Sequence, residues 1–83
     1  VASNRFVYVL KTCGAPPRPY VGVTSNVRAR LEAHNQGRCP QTARHRPWRL
    51  HVVVAFAEED AALRFERYLK SSSGRDFSRL HFE

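Results

Sequence analysis

Phe6-Val7-Tyr8-Val9-Leu10-Lys11 and Tyr20-Val21-Gly22-Val23 flank a segment, Thr12 to Pro19, that carries Gly14 and three prolines. Both runs are rich in aromatic and β-branched residues, which favour strands, and the Gly/Pro-dense segment between them can continue neither. Two strands joined this closely predict an antiparallel hairpin. Period-two alternation puts Phe6, Tyr8 and Leu10 on one face of the first strand, and Tyr20 and Gly22 on one face of the second. If those faces coincide, two phenols lie side by side next to a glycine that permits close approach. Taken singly, each tyrosine is equally an ordinary half-buried strand residue with a satisfied hydroxyl.

Working outward, Thr24 or Ser25 can cap a helix that runs to Gln36, with Val27, Leu31 and His34 on one stripe and Gly37 as its stop. Gly37 to Arg49 holds two prolines, four arginines, His45 and no acid, which predicts a solvated binding loop. Leu50 to Ala57 is an almost continuous apolar run and predicts a strand covered on both faces. Glu58-Glu59-Asp60 places negative charge where a helix N-terminus favours it, opening a helix to Lys70 whose buried stripe is Ala62, Phe65 and Leu69. Ser71 to Gly74 is expected to interrupt, and Arg75 to Phe82 to form a short last helix through Phe77, Leu80 and His81. The order β-β-α-β-α-α is that of a single α+β domain over residues 1–83.

The chain has 83 residues and a net charge of +7. Charge is unevenly spread: residues 1–57 contain nine Lys/Arg and one acid, Glu32, whereas residues 58–83 contain five bases and six acids. A one-sided positive field favours a polyanionic partner. Twelve of the fourteen bases are arginine, whose planar fork grips phosphate where lysine offers a point charge. No apolar stretch approaches the roughly 20 residues of a membrane span, so a soluble protein with no membrane partner is expected. Val1-Ala2-Ser3 carries no targeting pattern, and the expected localisation is cytoplasmic. Cys13 and Cys39 lack the dense pairing of a disulfide scaffold and are read as free thiols. A zinc site drawn from Cys13, Cys39, His34 and His45 has no Cys-x-x-Cys or His-x-x-x-His spacing to support it.

Arg30 and His34 are one helical turn apart and share a face, with Arg30 beside the Val27/Leu31 stripe and so able to point along the core edge toward the sheet. Arg28 and Glu32 form a separate, solvated pair. Glu66 sits beside the buried stripe of the later helix. It can serve simply as an i,i+4 partner for Lys70, but one carboxylate is also enough to hold Mg²⁺, which fills its other positions with water and phosphate oxygens.

In that order, Tyr8, Tyr20-Val21-Gly22, Arg30, His34-Asn35 and Glu66 resemble the GIY-YIG nuclease superfamily, particularly its small single-domain members. The resemblance extends to Gly22-Val23-Thr24, Gly37, Thr42, Pro47-Trp48, Leu50 and Lys70-Ser71-Ser72-Ser73-Gly74-Arg75, and so covers nearly the whole chain. It departs at Phe6-Val7-Tyr8, which keeps the tyrosine of the first tripeptide without its glycine. Val23 stands where nucleotide-excision-repair relatives tend to carry lysine, and His34 where they carry tyrosine. The resemblance implies a three-stranded antiparallel sheet flanked by helices. It also implies a metal-dependent endonuclease that hydrolyses DNA phosphodiester bonds, structure-selective for branched, nicked or damaged DNA in repair or recombination. The alternative is a non-cleaving nucleic-acid-binding module of the same fold.

The implied catalytic set is Tyr8, Tyr20, Arg30, His34 and Glu66. Glu66 would hold one Mg²⁺ or Mn²⁺ ion, Arg30 would grip the phosphate, and Tyr20 or Tyr8 would take the proton of the attacking water. A phenol of pKa about 10 needs help to do so at neutral pH, from His34, the metal or the other tyrosine. Lys11, Arg38, Arg44, Arg46, Lys70 and Arg75 are assigned to the DNA backbone, where contacts position a duplex without reading its sequence. RNA stays open as a substrate, and a protein partner for targeting is expected because the chain carries no second DNA-reading module.

Overall fold

Val7, Tyr8, Val9 and Leu10 are all buried, Val7 and Val9 in one apolar cluster and Tyr8 and Leu10 in another. A strand buried on both faces lies at the centre of its sheet. The computed structural model describes residues 4–83, so the expectation about Val1-Ala2-Ser3 lies outside the described residues. The elements are β1 (Arg5–Thr12), β2 (Pro19–Thr24), α1 (Val27–Asn35), α2 (Pro40–Ala43), β3 (Trp48–Phe56), α3 (Glu59–Leu69) and α4 (Ser72–His81). The sheet order is β2-β1-β3 and both pairings are antiparallel, which is the three-stranded antiparallel sheet that the resemblance implied. No helix among the described residues is long and apolar enough to cross a membrane.

The two sheet faces carry different layers. Val7 and Val9 pack with Ala62 and Leu69 of α3 and with Phe77 of α4, while Tyr8 and Leu10 pack with Trp48 and with Val27 and Leu31 of α1. The β1/β3 register shifts between Val9 and Leu10, where Val9 opposes Val52 but Leu10 opposes Leu50. His51 is therefore the extra residue of a bulge. One extra residue reverses the alternation beyond it, and this turns Trp48, paired with Thr12, onto the face of Tyr8 and Leu10.

Several expectations are corrected. The strand expected to be covered on both faces is an edge strand, with Leu50 and Val53 about two-fifths exposed. Its apolar run made it resemble a central strand, but β1 lies in the middle because both its neighbours are antiparallel partners in sequence reach. The α1 cap is Asn26, whose side chain accepts from the Ala29 amide at 3.0 Å, and not Thr24 or Ser25. Thr24 Oγ1 instead accepts from the Asn26 amide at 3.1 Å, shaping the turn into the helix. The supposedly solvated Gly37–Arg49 loop contains α2 and buries Thr42 and Trp48. Gly37 does end α1: its φ is 78°, and the Arg38 amide bonds back to Ala33 O at 3.0 Å, the αL closure that favours glycine.

The break after α3 is shorter than expected. Ser71 caps α4 by accepting from the Gly74 amide at 3.1 Å, so Gly74 lies inside the helix, and Leu80 projects outward, 78% exposed. A Cβ at Gly74 would overlap the Tyr68 carbonyl oxygen, which is backbone and cannot swing away. Gly74→Ala is therefore expected to destabilise by about 3 kcal/mol, as overpacking does, read as a fall in the urea midpoint. Gly14→Ala, where an added Cβ meets nothing within 4 Å, is the control. Equal midpoints for the two variants would contradict the close approach of α4 to the end of α3.

Candidate active site

The hairpin register pairs Tyr8 with Gly22 and Leu10 with Tyr20, so both tyrosines project from the face that α1 covers. Their ring centroids are 6.3 Å apart. Gly22 supplies the close approach expected of it, since a Cβ there would stand 2.5 Å from the Tyr8 hydroxyl. The side chain that uses the space is Tyr8 itself. From α1, Val27 and Leu31 pin the helix to the sheet, and the same stripe delivers His34 into the gap between the phenols. Tyr8 Oη lies 3.0 Å from His34 Nε2, and the Tyr20 ring meets the imidazole edge-on at 4.9 Å. Tyr8 is 1% exposed, His34 is fully buried, and Tyr20 is half-buried at the mouth.

Arg30, one turn before His34 and half-buried, places its guanidinium beside the Tyr8 hydroxyl. Three electrostatic consequences follow. Burial raises the Tyr8 pKa above its ordinary value, and Arg30 only partly offsets that, so the phenol is protonated at neutral pH. The contact with Tyr8 raises the Arg30 pKa further, and the guanidinium stays charged. Burial, and secondarily the Arg30 charge, lower the His34 pKa and favour a neutral imidazole able to accept a proton.

The lowered His34 value has a measurable effect. Below the ordinary histidine value of about 6.5, the unfolded chain binds a proton that the folded imidazole refuses. Stability is full above that pH and declines as pH falls toward the depressed folded value. Urea midpoints are expected to drop between about pH 7 and about pH 5, with a smaller drop in His34→Gln. A wild-type midpoint that rises over that interval would show that His34 is charged in the fold.

The rest of the cluster was not identified as functional from composition or spacing. Thr42 Oγ1 lies 2.7 Å from His34 Nδ1, and the Trp48 indole N–H donates to Thr42 O at 2.8 Å. Asn35 clamps the Trp48 backbone, accepting from its N–H at 2.7 Å and donating to its C=O at 2.9 Å. The signal was present in the single tryptophan of the chain, set in an otherwise polar, proline-broken segment where only a buried role accounts for it.

Among the described residues Glu66 makes no hydrogen bond to this cluster. It projects from α3, which packs on the opposite sheet face, and its carboxylate meets Lys70 Nζ at 2.5 Å. Phe65, the neighbouring position, turns toward Phe56 of β3, while Lys70 lines a cleft with Tyr20 and Val21 of β2. The Glu66–Lys70 flank of α3 thus faces the β2 side of the sheet. Lys11 and Arg75 line the same cleft, and Lys11 is paired with Glu83 at 3.4 Å. Arg38 and Arg44 are exposed. Arg46 folds back, donating from Nε to Ala43 O at 2.8 Å, with its guanidinium over Gly37.

Among the described residues no three His, Cys, Asp or Glu side chains converge as a metal cage, and both cysteines are free. That donor set excludes a four-ligand zinc centre built from these residues. A lone, largely buried carboxylate still suits a hydrated Mg²⁺ or Mn²⁺, which needs one or two protein oxygens.

Comparison with known proteins agrees with this architecture. A model of the GIY-YIG catalytic domain matches residues 4–79. The chain is 38% identical to the structure-specific endonuclease subunit SLX1 of Candida dubliniensis over 71 residues, covering 77% of this chain and 25% of that protein. It is 34% identical to a UPF0213 protein of Bacillus licheniformis over 61 residues, covering 72% of this chain and 63% of the relative. The chain therefore spans less than two-thirds of either relative. The solution NMR structure of a UPF0213 protein from Bacillus halodurans is similar with a TM-score of 0.56 and 32% identity, over 93% of this chain and 81% of that one.

Proposed function

The chain belongs to the GIY-YIG family, and from that membership and the Tyr8–His34 contact we propose that it is a divalent-metal-dependent endonuclease acting on DNA. The observation that carries the proposal is Tyr8 Oη at 3.0 Å from a buried His34 Nε2, beside a charged Arg30. A phenol held on a neutral imidazole can take a proton from water as it passes its own to nitrogen, which makes a weak base usable at neutral pH. The scissile phosphate docks on Arg30, whose fork is complementary to the charge that builds on the phosphoryl oxygens. The attacking water occupies the niche shared by Arg30, Tyr20 and Tyr8. Its proton moves to Tyr8 as the Tyr8 proton moves to His34, the new P–O bond forms, and the P–O3′ bond breaks with the electron pair leaving on O3′.

Tyr20, at the mouth, orients the water and keeps bulk solvent off the imidazole. Because β2 is an edge strand, the phosphodiester lies across that edge, within the compass of Tyr20 on one side and Glu66 on the other. Glu66 is the residue that would hold Mg²⁺ or Mn²⁺, which when bound supplies charge neutralisation at the phosphate and leaving oxygen. Lys11, Lys70 and Arg75 around the cleft, with Arg38 and Arg44 on the α1–β3 connection, give a sequence-neutral grip on the backbone. The name of the SLX1 relative, a structure-specific endonuclease subunit, supports structure selectivity and dependence on a partner; branched, nicked or damaged DNA in repair or recombination is proposed as the substrate with them. A cytoplasmic setting is proposed with them.

The test is incubation with end-labelled linear, nicked, flapped and four-way-junction DNA, and with a flapped RNA, in Mg²⁺, in Mn²⁺ and in chelator. Metal-dependent cleavage concentrated at the junctions is expected. Binding to all these nucleic acids with cleavage of none would instead identify a non-cleaving module of the same fold.

A further inference from the structure

His34 can present its Nε2 lone pair to Tyr8 only if its single neutral-state proton is on Nδ1. The two ends of the buried hydrogen-bond chain agree on this. At one end, Tyr8 Oη has a proton to place, its neighbour Arg30 is a donor only, and His34 Nε2 at 3.0 Å is the acceptor within reach. At the other end, the Thr42 hydroxyl, 1% exposed, has two partners: His34 Nδ1 at 2.7 Å and the Cys39 carbonyl at 3.3 Å. A carbonyl only accepts, so the hydroxyl donates to it and receives the proton of Nδ1. The Cys39 carbonyl also takes the amides of Thr42 and Ala43, both at 3.0 Å, which holds it rigidly in place.

We propose that Thr42 is a positioning residue that locks His34 in the Nδ1–H tautomer, so that Nε2 is permanently ready to accept the proton of Tyr8. The chain runs Tyr8 O–H to Nε2, Nδ1–H to Thr42 Oγ1, and Thr42 O–H to Cys39 O. It ends on a carbonyl, so a proton received by His34 cannot leave through Thr42. The imidazolium must return it through Tyr8 after the P–O3′ bond has broken. His34 is thus a proton store emptied once per turnover, and Thr42 sets its direction. The Trp48 indole on Thr42 O and the Asn35 clamp on the Trp48 backbone hold Thr42 in register with α1. Asn35 directly follows His34, so both ends of the brace are fixed by one helix terminus.

The catalytic consequence rests on the nuclease reading, but the tautomer does not, and the experiment separates them. Long-range ¹H–¹⁵N correlation of the His34 ring, on DNA-free protein at neutral pH, is expected to show Nδ1 protonated and Nε2 bare. Thr42→Ser keeps that pattern, while Thr42→Val, which retains shape and loses the hydroxyl, shifts His34 toward Nε2–H. In cleavage assays Thr42→Val is expected to lose about 10²-fold in kcat with KM little changed, and Thr42→Ser to recover most of it. A wild-type His34 protonated at Nε2, or a tautomer indifferent to Thr42→Val, overturns the proposal. Should Thr42→Val fail to fold, Thr42→Ala removes the same hydroxyl, and the same shift toward Nε2–H is expected of it. The Nδ1–H pattern in a wild type that cuts no DNA upholds the tautomer assignment and removes the nuclease reading alone.

Discussion

Tyr8→Phe is expected to lower the single-turnover cleavage rate by about 10²- to 10⁴-fold while leaving DNA affinity nearly unchanged. Of the two phenols, Tyr8 is the one with a base aligned on it, 3.0 Å from His34 Nε2, whereas Tyr20 meets His34 through the ring edge. With burial holding the Tyr8 pKa above its ordinary value, spontaneous ionisation at neutral pH is negligible, and its proton must pass to the imidazole in the same step that takes one from water. Phenylalanine fills the same buried space over Gly22 and removes the proton path. It also leaves the buried His34 Nε2 without its donor, at a cost of about 1–3 kcal/mol, so activity must be normalised to folded protein by a parallel urea titration. Tyr20→Phe, at the half-exposed mouth, is expected to cost less. If Tyr20→Phe lost the larger factor and Tyr8→Phe cut within a few-fold of wild type, the base would be Tyr20 and the buried pair a structural one.

The element order was legible because local patterns carry it: a Gly/Pro-dense turn between β-branched runs, an i,i+4 stripe ending on Gly37, an acidic start to α3. Local patterns also brought Tyr8, Tyr20, Arg30 and His34 together, since period two and one helical turn each fix a face. What was hidden is non-local. The exposed flank of β3 follows from its place in the sheet, which its own apolar run cannot encode. The bulge at His51 has no composition of its own, yet it decides which face receives Trp48. Thr42 and Asn35 are small polar residues of the kind that caps and turns use everywhere, and their role exists only where Trp48 and His34 meet them. Glu66 is placed by the fold and not by its neighbours in sequence: α3 packs on the layer of Val7 and Val9, and there its contact is Lys70.

That placement makes Glu66→Gln the sharpest test of the metal requirement. The variant is expected to lose Mn²⁺ binding, read by the free-ion electron paramagnetic resonance signal, and to lose cleavage by about 10³-fold or more, the scale of transition-state charge stabilisation that a divalent ion provides. Stability should barely move. The Glu66–Lys70 pair is an i,i+4 contact with Lys70 half exposed, worth about 0.3–0.5 kcal/mol, and glutamine keeps the side chain's shape. The same pair predicts weak metal affinity in the wild type, because a cation must displace the ammonium before it gains the carboxylate. DNA favours that exchange, since phosphate oxygens complete the ion's shell while giving Lys70 a new partner. Mn²⁺ binding should therefore tighten when an uncleavable DNA is added to wild type, and not when it is added to Glu66→Gln. Tightening in both proteins would place the ion on the DNA or on other residues, and Glu66 would revert to a helix-surface partner of Lys70.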